Sequence, residues 1–117
     1  MRQQEMLKGN TDTLLLALLE NEAMYGYQIV KEVDQRSSGF FAFKEGTLYP
    51  ALHRLEKANL IEGRWEDTPN NVRRRYYLIT PKGQEALSAR LSEWRQFTSA
   101  MNSIMLPGMS SGTGTEA

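Results

Sequence analysis

The residues of this chain that could perform chemistry are few, and their spacing does not assemble them for catalysis. His53 is the one histidine, and no acid or nucleophile is predicted to lie against it. No glycine-rich phosphate loop and no cluster with metal-ligand spacing occurs, and the lack of cysteine excludes a disulfide or a thiolate site. The sequence therefore predicts no catalytic residue, no metal and no cofactor, and we expect a protein that is not an enzyme.

The basic residues offer a different chemistry, which is the binding of a polyanion. Between residues 44 and 75 there are seven basic and five acidic residues, although 14 of each make the whole chain neutral. Three of the basic residues are consecutive, Arg73, Arg74 and Arg75. Guanidinium groups bind phosphate in bidentate geometry, so we expect at least one of them to contact a nucleic-acid backbone. The alternative is a solvated strand edge that its charges protect from pairing.

Residues 46–56 are predicted to form a helix with two different faces. Leu48, Leu52 and Leu55 recur at the helical spacing of a core-facing stripe. Pro50 fits this helix if it lies in the first turn, where a proline gives up no intrahelical hydrogen bond. The side that should face a polyanion carries Thr47, Tyr49, Pro50, His53, Arg54 and Lys57. The alternative is an ordinary amphipathic surface helix.

The flanking patterns predict two helices before this segment and a hairpin after it. One helix starts at Thr11 or Asp12, and a second follows Tyr25. Residues 61–66 alternate with period two, a turn cluster follows, and residues 73–79 form the second strand. This order is that of a winged helix-turn-helix, in which the third helix enters the major groove. We therefore expect a mainly α fold with a small β-hairpin, of the α+β class.

The last predicted helix, residues 81–105, starts at Thr80 and Pro81 and has an apolar face too wide for so small a domain to cover. This face consists of Leu87, Leu91, Trp94, Phe97, Met101, Ile104 and Met105, which we predict to form a dimer interface. The predicted division is a DNA-binding domain at residues 1–80, a dimerisation helix at residues 81–106 and a disordered tail at residues 107–117.

The hydropathy pattern indicates where in the cell the protein is located. The apolar run at residues 14–19 is far shorter than the roughly 20 residues that a membrane-spanning helix needs. We therefore expect a cytoplasmic protein without a membrane partner. The connector Phe40, Phe41 and Phe43 is expected to be tucked under the domain, since three exposed phenylalanines would favour aggregation.

Three motifs give the chain a resemblance to a known family. They are Tyr25-Gly26-Tyr27-Gln28-Ile29, Gly46-Thr47-Leu48-Tyr49-Pro50 with its continuation to Glu56, and Arg73-Arg74-Arg75-Tyr76-Tyr77 before Thr80 and Gly83. Over about residues 7–105 the chain resembles the PadR family of bacterial transcriptional regulators. The resemblance implies a homodimeric winged-helix repressor that binds a palindromic operator in double-stranded DNA. It also implies release by a small planar aromatic or phenolic effector.

The polar side of the third helix and the arginine run give the predicted DNA-binding set. We expect Tyr49, Pro50, His53 and Arg54 near the bases, and Lys44, Thr47, Lys57, Arg73, Arg74 and Arg75 on phosphates. The resemblance further implies ligand-binding residues. The compact branch of the family has a single C-terminal helix and includes members that control multidrug transporters. In these, a tryptophan of the last helix stacks on flat ligands at the dimer interface, and Trp94 has the matching position. The other implied ligand-binding residues are Leu87, Leu91, Thr98, Met101, Thr13 and Ala17.

Three alternatives stay open at this point. His53 is either a solvated surface residue or a DNA-facing one. Trp94 is either a ligand platform or a plain residue of the dimer core. Because the net charge is zero, the chain as a whole could instead be a winged-helix protein-interaction module without specific DNA binding.

Overall fold

The computed structural model describes residue 7 and residues 9–109. The helices in this part of the chain are α1 (Thr11–Leu18), α2 (Gly26–Arg36), α3 (Glu45–Lys57) and α4 (Pro81–Met105), followed by a 3-10 turn at Pro107–Met109. The strands are β1 (Met24–Tyr25), β2 (Ile61–Asp67) and β3 (Arg73–Ile79). The predicted fold class, mainly α with a small β-hairpin, is confirmed.

The strands form one antiparallel sheet in the order β1-β3-β2. In the hairpin, Trp65 pairs with Arg75 and Asp67 pairs with Arg73. Strand β1 adds a third member, because Tyr25 pairs with Tyr76. The sequence predicted the hairpin but not β1, since two residues are too few to show a period.

The chain divides into two compact units after Leu87. The first contains α1 to α3, the sheet and the first turns of α4, and the second contains the rest of α4 with the 3-10 turn. Of the predicted disordered tail, residues 107–109 form this turn and residues 110–117 lie outside the described residues. None of the described helices has the length and apolar character needed to cross a membrane.

The core of the first unit is built from the apolar stripes of its helices and from the base of the sheet. Its fully buried large side chains are Leu15, Leu16, Leu19, Ile29, Leu48, Leu52, Leu55, Ile61 and Leu87. The predicted leucine stripe of α3 therefore faces the core. In the phenylalanine connector only Phe43 is buried, and Phe40 is half exposed, so the prediction for Phe40 is wrong. Phe40 packs edge-on against Phe41 beside the left-handed Gly39.

The sequence predicted Pro50 in the first turn of its helix. In the structure Pro50 lies in the second turn of α3, so this prediction is wrong. Because α3 begins at Glu45, the N–H that Pro50 lacks would have bonded to the carbonyl of Gly46. Gly46 is exposed, so water can satisfy its carbonyl. The helix therefore accommodates the proline on its solvent side.

The start of α4 is fixed by the predicted threonine cap. The Gly83 N–H donates to Thr80 Oγ1 at 3.0 Å, and the Thr80 hydroxyl donates to the Asn59 carbonyl at 2.7 Å. The Thr80 N–H donates to the Leu60 carbonyl at 3.1 Å. The first turn of α4 is thus tied to the segment that leaves α3, which places the end of the hairpin relative to α3.

Candidate nucleic-acid interface

The exposed side of α3 carries the polar residues that the sequence assigned to DNA. Lys44 precedes the helix, and the six residues of this set within α3 are Thr47, Tyr49, Pro50, His53, Arg54 and Lys57; all seven are exposed. Leu48, Leu52 and Leu55 are at most 2% exposed on the opposite side. An exposed polar side on a rigidly packed helix is the arrangement that fits a DNA groove.

Tyr49 also holds α3 against α2. A Cβ at Gly26, the first residue of α2, would overlap the Tyr49 hydroxyl. The glycine of the Tyr-Gly-Tyr motif is therefore needed for close approach of a tyrosine from α3. The Tyr49 side chain remains 46% exposed, so it has surface left for a ligand.

Arg54 is engaged by a carboxylate of another helix. Its Nη2 donates to Asp12 Oδ1 at 2.9 Å, and Asp12 lies in the first turn of α1. The Arg54 side chain is 59% exposed. Exposed pairs of this kind contribute about 0 to 1 kcal/mol, so a DNA phosphate can compete with Asp12 for Arg54. The sequence pattern gave no sign of this pair, which joins residues 42 positions apart.

Successive side chains of a strand point to opposite faces of the sheet, so the three consecutive arginines lie on two sides of the hairpin. Arg73 and Arg75 flank Trp65, with guanidinium carbons 5.6 and 5.5 Å from its ring. We call Trp65, Arg73 and Arg75 the tryptophan face. Arg74 lies on the other side, 4.3 Å from the ring of Tyr25. Trp65 is 54% exposed and was not predicted as a site residue; its alternation with charged neighbours was the available signal.

The basic residues differ in whether a carboxylate already holds them. Arg73 pairs with Asp67 at 3.3 Å, and Arg75 pairs with Glu56 of α3. This hydrogen bond to Glu56 raises the pKa of Arg75. Within residues 7 and 9–109, no carboxylate lies within salt-bridge distance of Arg74, Lys44 or Lys57. These three cations are the ones most available to phosphate.

A cleft of about 520 Å³ separates α3 from β3. Its lining residues are Tyr49, His53, Glu56, Lys57, Arg75 and Tyr77. Tyr77 is buried at its base, and burial raises the pKa of its phenol, which stays neutral at physiological pH. On the α3 wall, Tyr49 and Lys57 offer hydrogen-bond donors to a phosphate, whereas Arg75 on the β3 wall is held by Glu56. Three or more metal-ligand side chains come together nowhere in the described part of the chain.

The residues predicted for ligand binding and dimerisation do not share one environment. Leu87 is 1% exposed and belongs to the core of the first unit, so a single chain already covers it. Thr13 and Ala17 lie on α1 and are partly buried, as is Leu91 on α4. Leu87 has the same heptad spacing as the exposed residues of the apolar face of α4. The sequence pattern alone therefore could not show that Leu87 is buried within one chain.

The second unit exposes a row of large apolar side chains on α4. They are Trp94, Phe97, Met101, Ile104 and Met105, followed by Leu106, with exposed fractions from 37% to 79%. The rings of Trp94 and Phe97 are 6.0 Å apart, and the Thr98 hydroxyl donates to the Trp94 carbonyl at 2.9 Å. So much contiguous apolar surface on one helix marks an interaction site.

Comparison with known proteins agrees with this geometry. A transcriptional regulator from Clostridium thermocellum is 33% identical, with a TM-score of 0.78 over 86% of this chain and 98% of that one. A PadR family regulator from Clostridium difficile is 38% identical, with a TM-score of 0.75 over 83% of this chain and 99% of that one. Bacillus subtilis PadR, solved in complex with operator DNA, shares the fold at 22% identity and a TM-score of 0.64, covering 73% of this chain and 48% of that one.

A match to one protein-family model agrees with these structural similarities. Residues 15–89, which include α3, the cleft and the hairpin, match the model described as the transcriptional regulator PadR-like family. The chain belongs to the PadR-like family of transcriptional regulators.

Proposed function

We propose that this regulator binds operator DNA as a homodimer, with α3 in the major groove and the β2–β3 hairpin beside the backbone. The observation that carries the proposal is the exposed polar side of α3, which lies on the same unit as a hairpin that exposes Arg73 and Arg74. The phosphate backbone beside the groove would lie against these two arginines and the lysines at the ends of α3. Bacillus subtilis PadR, which has the same fold, was solved in complex with operator DNA, and this supports DNA as the partner. The proposal includes no catalytic step and places the protein in the cytoplasm.

A selection experiment tests sequence-specific DNA binding directly. The purified chain is incubated with random DNA duplexes, and the retained duplexes are amplified and sequenced over several rounds. We expect enrichment of a palindromic sequence with half-sites about one turn, roughly 34 Å, apart. A folded dimer that enriches no sequence would favour the protein-interaction module instead.

Replacing Arg73, Arg74 and Arg75 together with alanine is expected to weaken binding to any duplex. Each arginine that gives up a phosphate contact should lower the slope of log affinity against log salt by about one. Fluorescence anisotropy with labelled duplexes at several salt concentrations measures this slope. Arg36→Ala, which removes an exposed arginine paired with Glu32 on α2, serves as the charge control. An unchanged slope in the triple variant would remove the hairpin from the interface.

We further propose that α4 forms the dimer contact through its exposed apolar row. The residues assigned to this contact are Trp94, Phe97, Met101, Ile104 and Met105, with Leu91 at the edge of the row. Leu87 is left out because it is buried within one chain. Pairing of two chains would hold two copies of α3 at a fixed spacing, which a palindromic operator requires.

The same row is proposed to bind a planar aromatic or phenolic effector, with Trp94 as the stacking platform. Leu91, Thr98 and Met101 lie within one or two helical turns of Trp94 and supply apolar surface and one hydroxyl. Thr13 and Ala17 remain predicted ligand residues from the family resemblance. An effector can bind one geometry of the dimer more tightly than another. The ratio of its affinities for the two geometries then sets the largest change that it can cause in operator affinity.

Tryptophan fluorescence tests this effector site. Because the chain has two tryptophans, the titration uses Trp65→Phe, in which Trp94 alone emits. We expect planar aromatic compounds to quench Trp94 in a saturable manner, since stacking places the ligand on the indole ring. The Trp94→Phe variant is the control and should show no saturable quenching of Trp65. A varied panel of compounds without effect on Trp94 would leave it as a residue of the dimer core.

A further inference from the structure

Arg75 is held in place from several sides within the protein. Its Nη2 donates to Glu56 Oε2 of α3, and its guanidinium lies 5.5 Å from the Trp65 ring and 5.9 Å from the Tyr77 ring. The side chains of Arg75 and Glu56 are only 31% and 28% exposed. Arg75 therefore connects the hairpin to α3 across the cleft through a largely covered ion pair.

Gly63 makes this position possible. A Cβ at Gly63, the cross-strand partner of Tyr77, would lie 2.6 Å from the guanidinium nitrogens Nε and Nη2 of Arg75. The arginine thus lies across β2 at the one place where the strand has no side chain. A larger residue at position 63 must displace the guanidinium from the place in which it reaches Glu56.

The neighbouring Arg73 provides a contrast on the same tryptophan face. Its side chain is 64% exposed, and its partner Asp67 is 82% exposed. Such an open pair is readily exchanged for a phosphate. A phosphate that approached Arg75 would meet the Glu56 carboxylate beside it, and the repulsion between the two anions disfavours that contact.

We propose that Arg75 is a positioning residue that fixes β3 against α3 through Glu56, and that it is not a phosphate ligand. The proposal rests on the DNA binding proposed above. With the pair intact, the distance between the groove-reading side of α3 and the hairpin is set before DNA arrives. Preorganisation of two contact surfaces favours the sequence that fits both, so this pair contributes to sequence specificity rather than to general affinity.

A variant that lacks the negative charge of Glu56 distinguishes a positioning role of Arg75 from phosphate binding by Arg75. Glu56→Gln deletes a negative charge at the DNA interface and frees Arg75. If Arg75 bound phosphate, this variant would bind DNA more tightly. If Arg75 acts by positioning, the same variant weakens the connection to α3, because a neutral amide is a poorer acceptor for a guanidinium than a carboxylate. Its affinity for the selected duplex then falls although its net charge is more positive.

The experiment measures affinity for the duplex that the wild-type chain enriches and for a random duplex, at several salt concentrations. The variants are Glu56→Gln, Arg75→Met, the double variant, Gly63→Ala, and Arg73→Gln as the phosphate comparator. Glu56→Gln, Arg75→Met and Gly63→Ala should each lose about fivefold or more in affinity for the selected duplex, an effect typical of coupled neighbours. The double variant should lose no more than the larger single loss. Binding to the random duplex and the salt slope should stay unchanged in the double variant, which removes one charge of each sign.

Arg73→Gln should instead weaken both duplexes equally and lower the salt slope by about one. Urea unfolding of each variant gives its folded fraction, and affinities are compared per folded chain. Tighter binding of the selected duplex by Glu56→Gln, or equal losses on both duplexes in the charge-balanced double variant, would overturn the positioning role. If Arg73→Gln behaves as expected in the same series, DNA binding itself stands. A wild-type chain that enriches no duplex would overturn DNA binding and this inference together.

Discussion

Gly83→Ala is expected to lower the free energy of unfolding by about 1 to 3 kcal/mol, the range measured for overpacked sites. A Cβ at Gly83 would overlap the Leu60 carbonyl oxygen and lie 2.8 Å from Ile79 Cγ1. The Leu60 carbonyl cannot retreat freely, because it accepts the hydrogen bond from the Thr80 N–H. The added methyl group must therefore move the start of α4 away from the segment between α3 and β2.

The same substitution at Gly46 is the matched control. Gly46 also lies in the first turn of a helix, and a Cβ there would have no atom within 4 Å. Gly46→Ala should raise the free energy of unfolding by about 0.4 to 1 kcal/mol, since alanine restricts the unfolded chain. Urea unfolding followed by circular dichroism at one fixed protein concentration measures both variants. A Gly83→Ala protein as stable as the wild type would show that the helix start is not packed as described.

Local chemistry explains which elements could be predicted from the sequence. Thr80 and Pro81 define a helix start through one hydroxyl and one fixed backbone angle, so the bounds of α4 agree with the structure. The leucine stripe of α3 likewise needed only the helical period. The position of Pro50 within α3 was wrong, because the pattern cannot locate the first residue of a helix to within one turn.

The functional site was harder to predict from the sequence because its contacts join residues that are far apart along the chain. Exposure of the polar side of α3 followed from the period, but the pairs of Arg54 with Asp12 and Arg75 with Glu56 join elements that only the tertiary fold brings together. These pairs also explain how a neutral chain can carry a DNA-binding surface. Asp12, Glu56 and Asp67 are each paired with an arginine, whereas Lys44, Lys57 and Arg74 have no carboxylate within salt-bridge distance among the described residues and give the site its positive charge.

Phe97→Glu is expected to separate the proposed dimer and to reduce operator affinity by about 100-fold or more, the gain that two linked binding sites provide. Phe97 is 56% exposed in the single chain and lies in the middle of the apolar row on α4. A second copy would bury it, and a carboxylate there would lose its hydration without a partner. Analytical ultracentrifugation measures the dimer, and anisotropy with the enriched duplex measures affinity.

Ser99→Glu is the matched control for this substitution. Ser99 is exposed, and the helical period places it about 160° around α4 from Phe97 and about 140° from Trp94, away from the apolar row. The control adds the same charge two residues away, so general repulsion of DNA affects both variants equally. It should remain a dimer and lose much less affinity than Phe97→Glu. If Phe97→Glu also remains a dimer at the wild-type concentration, the contact between two chains must involve a surface other than this row, and the effector site proposed at Trp94 loses its second wall.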